Sequence, residues 1–287
     1  MSQVNEARYF QPNTIQDLMG ALTKKDERTY LYAGGTDMII YLRNHGIFDY
    51  SIIDLSKMYC YRYIDPQNDG VMIGALTTMS DIIGSEYLKE NYRALWQAAK
   101  ELGSTQIRNL ATLGGNIANA SQSADTVPTL MLYRAEVILM DDKGTKTFVP
   151  IDEFVVGRGK TILGPNQVIT AVRLYQREGM QSFKKLGARK AVTISKVNCS
   201  MNVVLEDQII REVECLVGVI GEKAIRAMDI EQALLGKPLP TIAVEDLSSV
   251  CFDCVEQAIP NRSSKLYKRI ALKGVLLDAI EDLRSQL

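Results

Sequence analysis

Two glycine-rich turns carry the residue types of this sequence that could hold an anionic ligand. Residues 33–37 read Ala-Gly-Gly-Thr-Asp, and residues 111–116 read Ala-Thr-Leu-Gly-Gly-Asn. Glycine allows positive φ and lets backbone N–H groups approach a ligand closely. Neither turn fits the dinucleotide pattern G-x-G-x-x-G or a P-loop. Because each turn adds a threonine and an Asp or Asn, the pair predicts one extended anionic ligand held from both sides.

The composition is that of an ordinary globular protein. The chain has 287 residues, of which 46% are hydrophobic and 23% charged, and this length allows two or three small domains. The formal net charge of −1 gives no electrostatic reason to expect binding to nucleic acid or to an anionic membrane surface. No apolar run reaches the roughly 18 residues of a membrane span, and residues 1–10 lack a signal-peptide pattern. A cytoplasmic protein is therefore expected.

Cysteine and histidine usage limits the chemistry that the chain could perform alone. The five cysteines are scattered, and an odd count without a secretion signal predicts reduced thiols. Cys251 and Cys254 form a lone C-x-x-C pair, whereas a metal site needs about four ligands. We therefore expect thiols that pack a helix, and no metal site. His45 is the single histidine and is expected at a solvated helix end, so the chemistry should come from a cofactor.

Hydrophobic periodicity predicts an α+β protein in two parts. Polar residues 176–179 place a boundary near residue 177, between an N-terminal domain of residues 1–177 and a C-terminal domain of residues 178–287. The first domain is expected to have lobes of about residues 1–60 and 61–177. Because the sequence has no G-x-G-x-x-G motif, a Rossmann fold is disfavoured. Strands are expected at residues 29–33, 50–55, 70–73, 135–140, 145–149, 168–174, 196–205 and 212–219. Helices are expected at residues 14–23, 37–43, 80–85, 94–102, 126–133, 225–235, 244–259 and 264–287, the last of them amphipathic.

The second turn belongs to a longer motif that resembles a known family. Residues 107–117 read Ile-Arg-Asn-Leu-Ala-Thr-Leu-Gly-Gly-Asn-Ile, and Ser-x-x-x-Asp-x-x-Pro follows at residues 121–128. With the first turn, this string resembles the FAD-binding medium subunits of molybdenum hydroxylases, the xanthine dehydrogenase and carbon monoxide dehydrogenase type. Residues 183–189 and 261–264 resemble the start and the end of that family's C-terminal domain. The resemblance therefore covers essentially the whole chain in family order.

The resemblance implies an FAD-binding domain of the PCMH and vanillyl-alcohol-oxidase type, followed by a smaller domain of antiparallel sheet and helices. The backbone amides of residues 33–36 would form a nest for the FAD pyrophosphate. Asp125 would accept from a ribityl hydroxyl or a flavin N–H, although Asp125 and Thr126 also read as a helix cap. Lys185 would tune the flavin near its N1/C2=O edge. The residues implied at the cofactor are Leu31, Tyr32, Ala33, Gly34, Gly35, Thr36, Asp37, Met38, Leu102, Gly103, Ile107, Ala111, Thr112, Gly114, Gly115, Asn116, Ile117, Asn119, Asp125, Ile169, Thr170 and Lys185.

The same resemblance implies partners and an electron path. Substrate would be oxidised at a molybdopterin centre on a large subunit, and electrons would pass through 2Fe-2S clusters of a small subunit to FAD and then to NAD+. A heterotrimer or its dimer is expected. Arg158 stands where eukaryotic relatives carry an aromatic residue, in the loop that shapes the nicotinamide side of the flavin in this family. The cysteine-rich loop that related reductases carry for an additional iron–sulfur cluster is absent from the sequence. A stand-alone FAD-dependent oxidoreductase of the same fold and a flavin-free scaffold subunit stay open as alternatives. The substrate class stays open as well: a purine or other N-heterocycle, carbon monoxide or an aldehyde.

Overall fold

The computed structural model describes residues 9–287. Its first lobe is a small parallel sheet with two helices. The three strands are ordered β1-β3-β2, and both neighbouring pairs are parallel. Helix α1 begins with a capping box between Thr14 and Asp17 and buries Leu18 and Leu22 against Ile53. The elements of this lobe are β1 (Tyr9–Phe10), α1 (Ile15–Thr23), β2 (Thr29–Tyr32), α2 (Met38–Asn44) and β3 (Ser51–Asp54).

The second lobe is an antiparallel sheet of five strands, ordered β4-β5-β10-β6-β7, with helices packed on it. Its strands are β4 (Ile64–Gln67), β5 (Gly70–Gly74), β6 (Glu136–Asp141), β7 (Lys146–Pro150) and β10 (Gln167–Tyr175). Its helices are α3 (Met79–Gly84), α4 (Glu86–Asn91), α5 (Arg93–Glu101), α6 (Thr105–Arg108), α7 (Leu113–Asn119), α8 (Thr126–Leu132) and α9 (Ile151–Phe154). A short antiparallel hairpin of β8 (Val155–Gly157) and β9 (Lys160–Thr161) follows α9.

The C-terminal part is a four-stranded antiparallel sheet covered by three helices. The strands lie in chain order as β11 (Met180–Gly187), β12 (Ser195–Glu206), β13 (Ile209–Gly218) and β14 (Ile225–Arg226). The helices are α10 (Met228–Leu234), α11 (Ser248–Ala258) and α12 (Lys265–Arg284). One face of the sheet packs on these helices through apolar side chains such as Cys199 and Met201. Phe183 and Leu216 on the opposite face belong to the core of the second lobe, so the sheet lies between two layers of helices.

Helix α5 runs along strand β11 and joins the two parts of the molecule. Arg93 N–H donates to Gln181 Oε1 over 3.0 Å, and Phe183 N–H donates to Gln97 Oε1 over 2.7 Å. Lys185 Nζ donates to the carbonyl of Glu101 over 2.7 Å. Four residues of a helix rise by about 6.0 Å, and two residues of a strand by about 6.6 Å. Because the two spacings nearly match, every fourth residue of α5 meets every second residue of β11.

The α+β fold of the PCMH type, with a smaller C-terminal domain, is confirmed. Three local expectations were incomplete or wrong. Residues 180–187 form strand β11, which was not predicted, and α10 begins only at Met228, after β14. The final helix was expected to be amphipathic, but its apolar residues lie on more than one face, since Leu266 and Ile270 are 64% and 69% exposed while Val275 is buried. Among residues 9–287, no helix is long and apolar enough to cross a membrane.

Candidate cofactor site

The two glycine-rich turns lie on one cavity between the two lobes. Its volume is about 540 Å³, within the range of small-molecule sites in proteins. The cavity is lined by Tyr30, Leu31, Ala33, Gly34, Gly35, Thr36, Asp37, Met38, Tyr41, Leu102, Ile107, Ala111, Thr112, Gly115, Asn116, Ala118, Asn119 and Gly159. Strand β2 delivers the first turn and helix α7 carries the second. Residues almost eighty positions apart in the sequence therefore share one wall.

Glycine is required in the first turn for two reasons. Gly35 has φ +66°, a conformation that residues with a side chain rarely adopt. A Cβ at Gly34 would overlap the carbonyl oxygen of Leu110, which precedes the second turn. The N–H groups of Gly34, Gly35 and Thr36 donate to no other group within residues 9–287. Consecutive unpaired N–H groups around a positive-φ glycine form an anion-binding nest.

The two glycines of the second turn differ in their roles. Gly115 lines the cavity, and a Cβ there would lie 2.9 Å from Thr112 Oγ1. Gly114 does not line the cavity. A Cβ at Gly114 would lie 2.7 Å from the Cβ of Ala75, so this glycine allows α7 to pack closely on the segment after β5.

Polar side chains of the second turn are already engaged with the protein. Thr112 caps helix α7 by accepting from Gly115 N–H over 3.1 Å. Asn116 Oδ1 accepts from Thr126 Oγ1 over 2.5 Å, and its Nδ2 group donates to no group in the described part of the chain. Asp37 is the one charged side chain on the described wall, and no lysine or arginine lines it. An anion in this cavity would therefore be held by backbone N–H groups and neutral donors.

Asp125 and Lys185 form a buried ion pair at the junction of the second lobe and the C-terminal sheet. Lys185 Nζ lies 2.7 Å from Asp125 Oδ2, and the two side chains are 4% and 6% exposed. Asp125 Oδ1 accepts from Ser195 Oγ over 2.5 Å and from Asn198 Nδ2 over 3.0 Å. Lys185 also donates to the carbonyls of Glu101, over 2.7 Å, and Thr193, over 3.3 Å. All three N–H bonds of the ammonium group thus have acceptors.

The structure brings most of the sequence-predicted residues to the cavity and leaves some outside its wall. Those outside the wall are Tyr32, Gly103, Gly114, Ile117, Asp125, Ile169, Thr170 and Lys185. Asp125 occupies the N-cap position of helix α8, where the sequence suggested a helix cap, but its side chain makes no cap bond. Its carboxylate is instead bound by residues of the C-terminal sheet.

Four lining residues were not predicted from the sequence. Tyr41 lies one helical turn after Met38 on α2, so the helical period of that segment was an available signal. Tyr30 and Ala118 each lie within two residues of predicted positions. Gly159 reaches the cavity because its N–H donates to the carbonyl of Ala120 over 2.8 Å. That contact depends on the tertiary fold, and no local pattern could have predicted it.

A second cavity of about 510 Å³ lies beside α1, β1 and β3. It shares no residue with the glycine turns. Lys24 and Lys25 lie on its wall together with Asp17 and Asp26, so both charge signs are present. Of the two cavities, only the one between the lobes combines the nest with the predicted residues, and we assign the candidate site to it.

The cysteines and the histidine lie away from this site. Cys251 and Cys254 face the core of the C-terminal part on helix α11, as expected of packing thiols. Burial raises the pKa of the Cys251 thiol to about 12 and that of Cys254 to about 11. His45 is exposed at the C-terminal end of α2, which confirms the expected position.

Two family descriptions match almost the whole chain. The FAD binding domain in molybdopterin dehydrogenase matches residues 4–174, and the CO dehydrogenase flavoprotein C-terminal domain matches residues 181–283. The fold and the site thus define a flavoprotein subunit of an oxidoreductase complex. The chain belongs to the FAD-binding subunits of the molybdopterin dehydrogenases, the multi-subunit molybdenum hydroxylases. The family expected from the sequence motifs is confirmed.

Individual relatives agree with this family over nearly their full length. The nicotinate dehydrogenase FAD-subunit of Eubacterium barkeri is 29% identical over 291 residues, which cover 99% of this chain and 98% of that protein. The xanthine dehydrogenase FAD-binding subunit of Escherichia coli O157:H7 is 30% identical and covers 91% of this chain and 90% of its own. A chain of quinoline 2-oxidoreductase from Pseudomonas putida 86 has a TM-score of 0.89 at 18% identity, with 98% and 97% covered. That last likeness shows the same fold.

Proposed function

We propose that this chain binds FAD in the cavity between its lobes and passes electrons from 2Fe-2S clusters of a small partner subunit to NAD+. Substrate would be oxidised at a molybdopterin centre of a large partner subunit, in a xanthine dehydrogenase-like heterotrimer or its dimer in the cytoplasm. The observation that carries the proposal is the meeting of both glycine turns on one wall. The proposed domain boundary stays near residue 177.

The wall residues fit FAD. Gly35 has positive φ, and a Cβ at Gly115 would crowd Thr112 Oγ1, so the cradle is shaped by glycines that a side chain would fill. The unpaired N–H groups of Gly34, Gly35 and Thr36 suit the negatively charged pyrophosphate. Because these groups can hold the anion, the site needs no lysine on its wall. The hydroxyl of Thr36 and the Nδ2 group of Asn116 add neutral donors. When bound, FAD would supply the exchange between one-electron carriers and a two-electron acceptor.

Lys185 would tune the flavin although its side chain does not line the cavity. Its ammonium donates to the carbonyl of Glu101, which directly precedes the lining residue Leu102. A fixed positive charge stabilises a negative charge that develops nearby, and the effect is largest where both charges are buried. Asp125 holds this ammonium in one orientation through the 2.7 Å contact. We propose that the positive charge of the Lys185 ammonium stabilises the reduced, negatively charged state of the cofactor.

The acceptor and the substrate class rest on similarity to relatives. The relatives that carry the names of xanthine dehydrogenase and nicotinate dehydrogenase subunits are 30% and 29% identical to this chain. Both names denote dehydrogenases of nitrogen heterocycles, and we propose a nitrogen heterocycle, such as a purine, as the substrate of the complex. The residues that would select it lie on the large partner subunit.

The test is flavin binding followed by reoxidation. We expect the purified chain to be yellow, to release FAD on denaturation, and to transfer electrons to NAD+ after photoreduction, measured as NADH formation. A chain that binds FAD but does not form NADH would contradict the proposed acceptor. A chain that oxidises a heterocycle without partners would favour the stand-alone oxidoreductase, and a folded chain that cannot bind FAD would favour the scaffold subunit.

A further inference from the structure

Three consecutive carbonyl groups at the C-terminal end of helix α5 are each bound by a cationic side chain. Lys185 Nζ donates to the carbonyl of Glu101 over 2.7 Å. Arg108 Nη1 donates to the carbonyls of Leu102, over 3.1 Å, and Gly103, over 3.0 Å. Hydrogen bonds from charged donors are stronger than those from neutral ones. The turn at residues 101–103 is therefore held from two directions, by the C-terminal sheet and by helix α6.

This turn belongs to the wall of the cavity. Leu102 and Ile107 line the cavity. Gly103 has φ +49°, and a Cβ there would lie 2.9 Å from Ile107 Cγ2. The turn thus folds tightly onto the side chain of Ile107, and Arg108 is the next residue along the chain. A third bond, from Arg108 Nη2 to Thr105 Oγ1 over 3.1 Å, fixes the guanidinium within α6.

We propose that Arg108 is a positioning residue for the cofactor, which shapes the cavity wall by holding the carbonyls of Leu102 and Gly103. This inference rests on the FAD-binding function proposed above. Arg108 itself does not line the cavity, so it acts through the turn. Without it, the turn would gain conformational freedom that FAD binding must remove, and affinity would fall in proportion to the competent fraction.

The same bonds could serve only to satisfy the last carbonyls of α5, because cations near a helix C-terminus stabilise the helix. The two roles differ in what they change. A cap alone affects the free energy of unfolding with or without FAD. A positioning role changes the dissociation constant of FAD more than the stability of the flavin-free protein.

The experiment compares FAD dissociation constants of full-length variants by flavin fluorescence on reconstitution of the flavin-free chain. Arg108→Gln is expected to raise the dissociation constant by about tenfold or more, equivalent to at least about 1.4 kcal/mol. Arg108→Lys keeps a charged donor and is expected to recover most of this loss. Arg43→Gln removes an exposed arginine from α2, the helix that carries Tyr41 of the wall, and controls for a general loss of positive charge.

Thermal unfolding of the flavin-free variants and the visible circular dichroism of bound FAD complete the test. We expect unchanged unfolding temperatures within a few degrees and an altered dichroism spectrum for Arg108→Gln alone. Wild-type affinity in Arg108→Gln, an equal loss in Arg43→Gln, or a loss of affinity that only follows a lowered unfolding temperature and is not rescued by lysine would overturn the inference. If the wild-type chain itself does not bind FAD, the proposed function fails rather than this inference.

Discussion

At the residue scale, the four glycines of the two turns have different structural roles. Gly34 and Gly114 allow backbone segments to pack, since a Cβ at either position would meet protein atoms. Gly35 supplies a positive φ, and Gly115 faces the cavity. Substitutions at these positions should therefore fail for different reasons. Only a change at Gly115 should reduce cofactor binding without disturbing either the backbone packing at Gly34 and Gly114 or the positive φ of Gly35.

Gly115→Val is expected to abolish FAD retention. A branched side chain would crowd Thr112 Oγ1 and extend into the space of the proposed pyrophosphate. Flavin content per chain after gel filtration measures the effect. Gly20→Val is the matched control, because Gly20 also lies within a helix but outside this cavity, and a Cβ there would have no other atom within 4 Å. Wild-type flavin content in Gly115→Val would contradict the assignment of the site.

Lys185→Met is expected to cost about 3–5 kcal/mol of unfolding free energy, because it leaves the Asp125 carboxylate buried without its charge partner. The double variant with Asp125→Asn should recover part of that cost, since no unpaired charge remains. Urea unfolding of both variants measures the difference, and Lys190→Met on the exposed loop is the control. A cost below about 1 kcal/mol for the single variant would show that the pair contributes little to stability.

The sequence predicted the glycine turns, their threonines and Asn116, because these residues lie together in two short local segments. It did not predict that Asp125 and Lys185 pair with each other. Each residue was assigned separately to the flavin, and a contact across 60 positions has no local pattern. Arg108 was part of the motif but received no role, since its acceptors are backbone carbonyls, which no sequence displays.

At the element scale, the position of helix α5 depends on the C-terminal part of the chain. Gln97 of α5 accepts from Phe183 N–H of β11 over 2.7 Å. Its Nε2 group donates to both carboxylate oxygens of Asp282 on α12, over 3.1 and 3.0 Å. Lys184 Nζ also lies 3.0 Å from Asp282. One glutamine and one aspartate therefore connect three elements. The end of this helix leads directly into the cavity wall at Leu102.

Asp282→Asn is expected to lower stability by about 1–3 kcal/mol at neutral pH, the range for hydrogen bonds to charged groups. Burial alone would raise the pKa of Asp282, but hydrogen bonds from Gln97 and Lys184 outweigh it and hold the pKa below its ordinary value. A lowered pKa stabilises the fold above the unfolded-state pKa of about 4. The difference between wild type and variant should therefore shrink as the pH falls below about 4.

Urea unfolding at neutral and acidic pH measures this dependence. Asp278→Asn on the exposed face of the same helix is the control and should show little effect at either pH. A stability difference for Asp282→Asn that stays constant between pH 7 and the acid range would show that its charge is not the source of the effect.

Strand β11 and helix α12 explain why some elements were missed. The side chains of β11 that face the second lobe include Gln181 and Lys185, so the strand lacks the alternation of apolar and polar residues that predicts a half-buried strand. Helix α12 carries apolar residues on more than one face, with Val275 buried and Ile270 exposed. Periodicity alone therefore could not predict which face meets the core. The central strands of the second lobe are apolar and were predicted well.

At the scale of the whole molecule, the thiols report on the integrity of the fold. Cys60 is exposed and the other four cysteines are buried. Burial raises the pKa of Cys251 and Cys254, and the thiolate is the reactive form. One thiol per chain is therefore expected to react rapidly with a disulfide reagent, and the remaining four only after unfolding. Two or more rapidly reacting thiols in the native protein would contradict the packing of the C-terminal core.

The number of FAD molecules that each chain binds is the most direct test of the proposed function. The flavin-free chain, shown to be folded by circular dichroism, is titrated with FAD while bound flavin is measured by absorbance and fluorescence. Saturation at one FAD per chain, lost in Gly115→Val and kept in Gly20→Val, is the result that the proposed function predicts. A folded wild-type chain that binds no FAD at saturating concentration would contradict it.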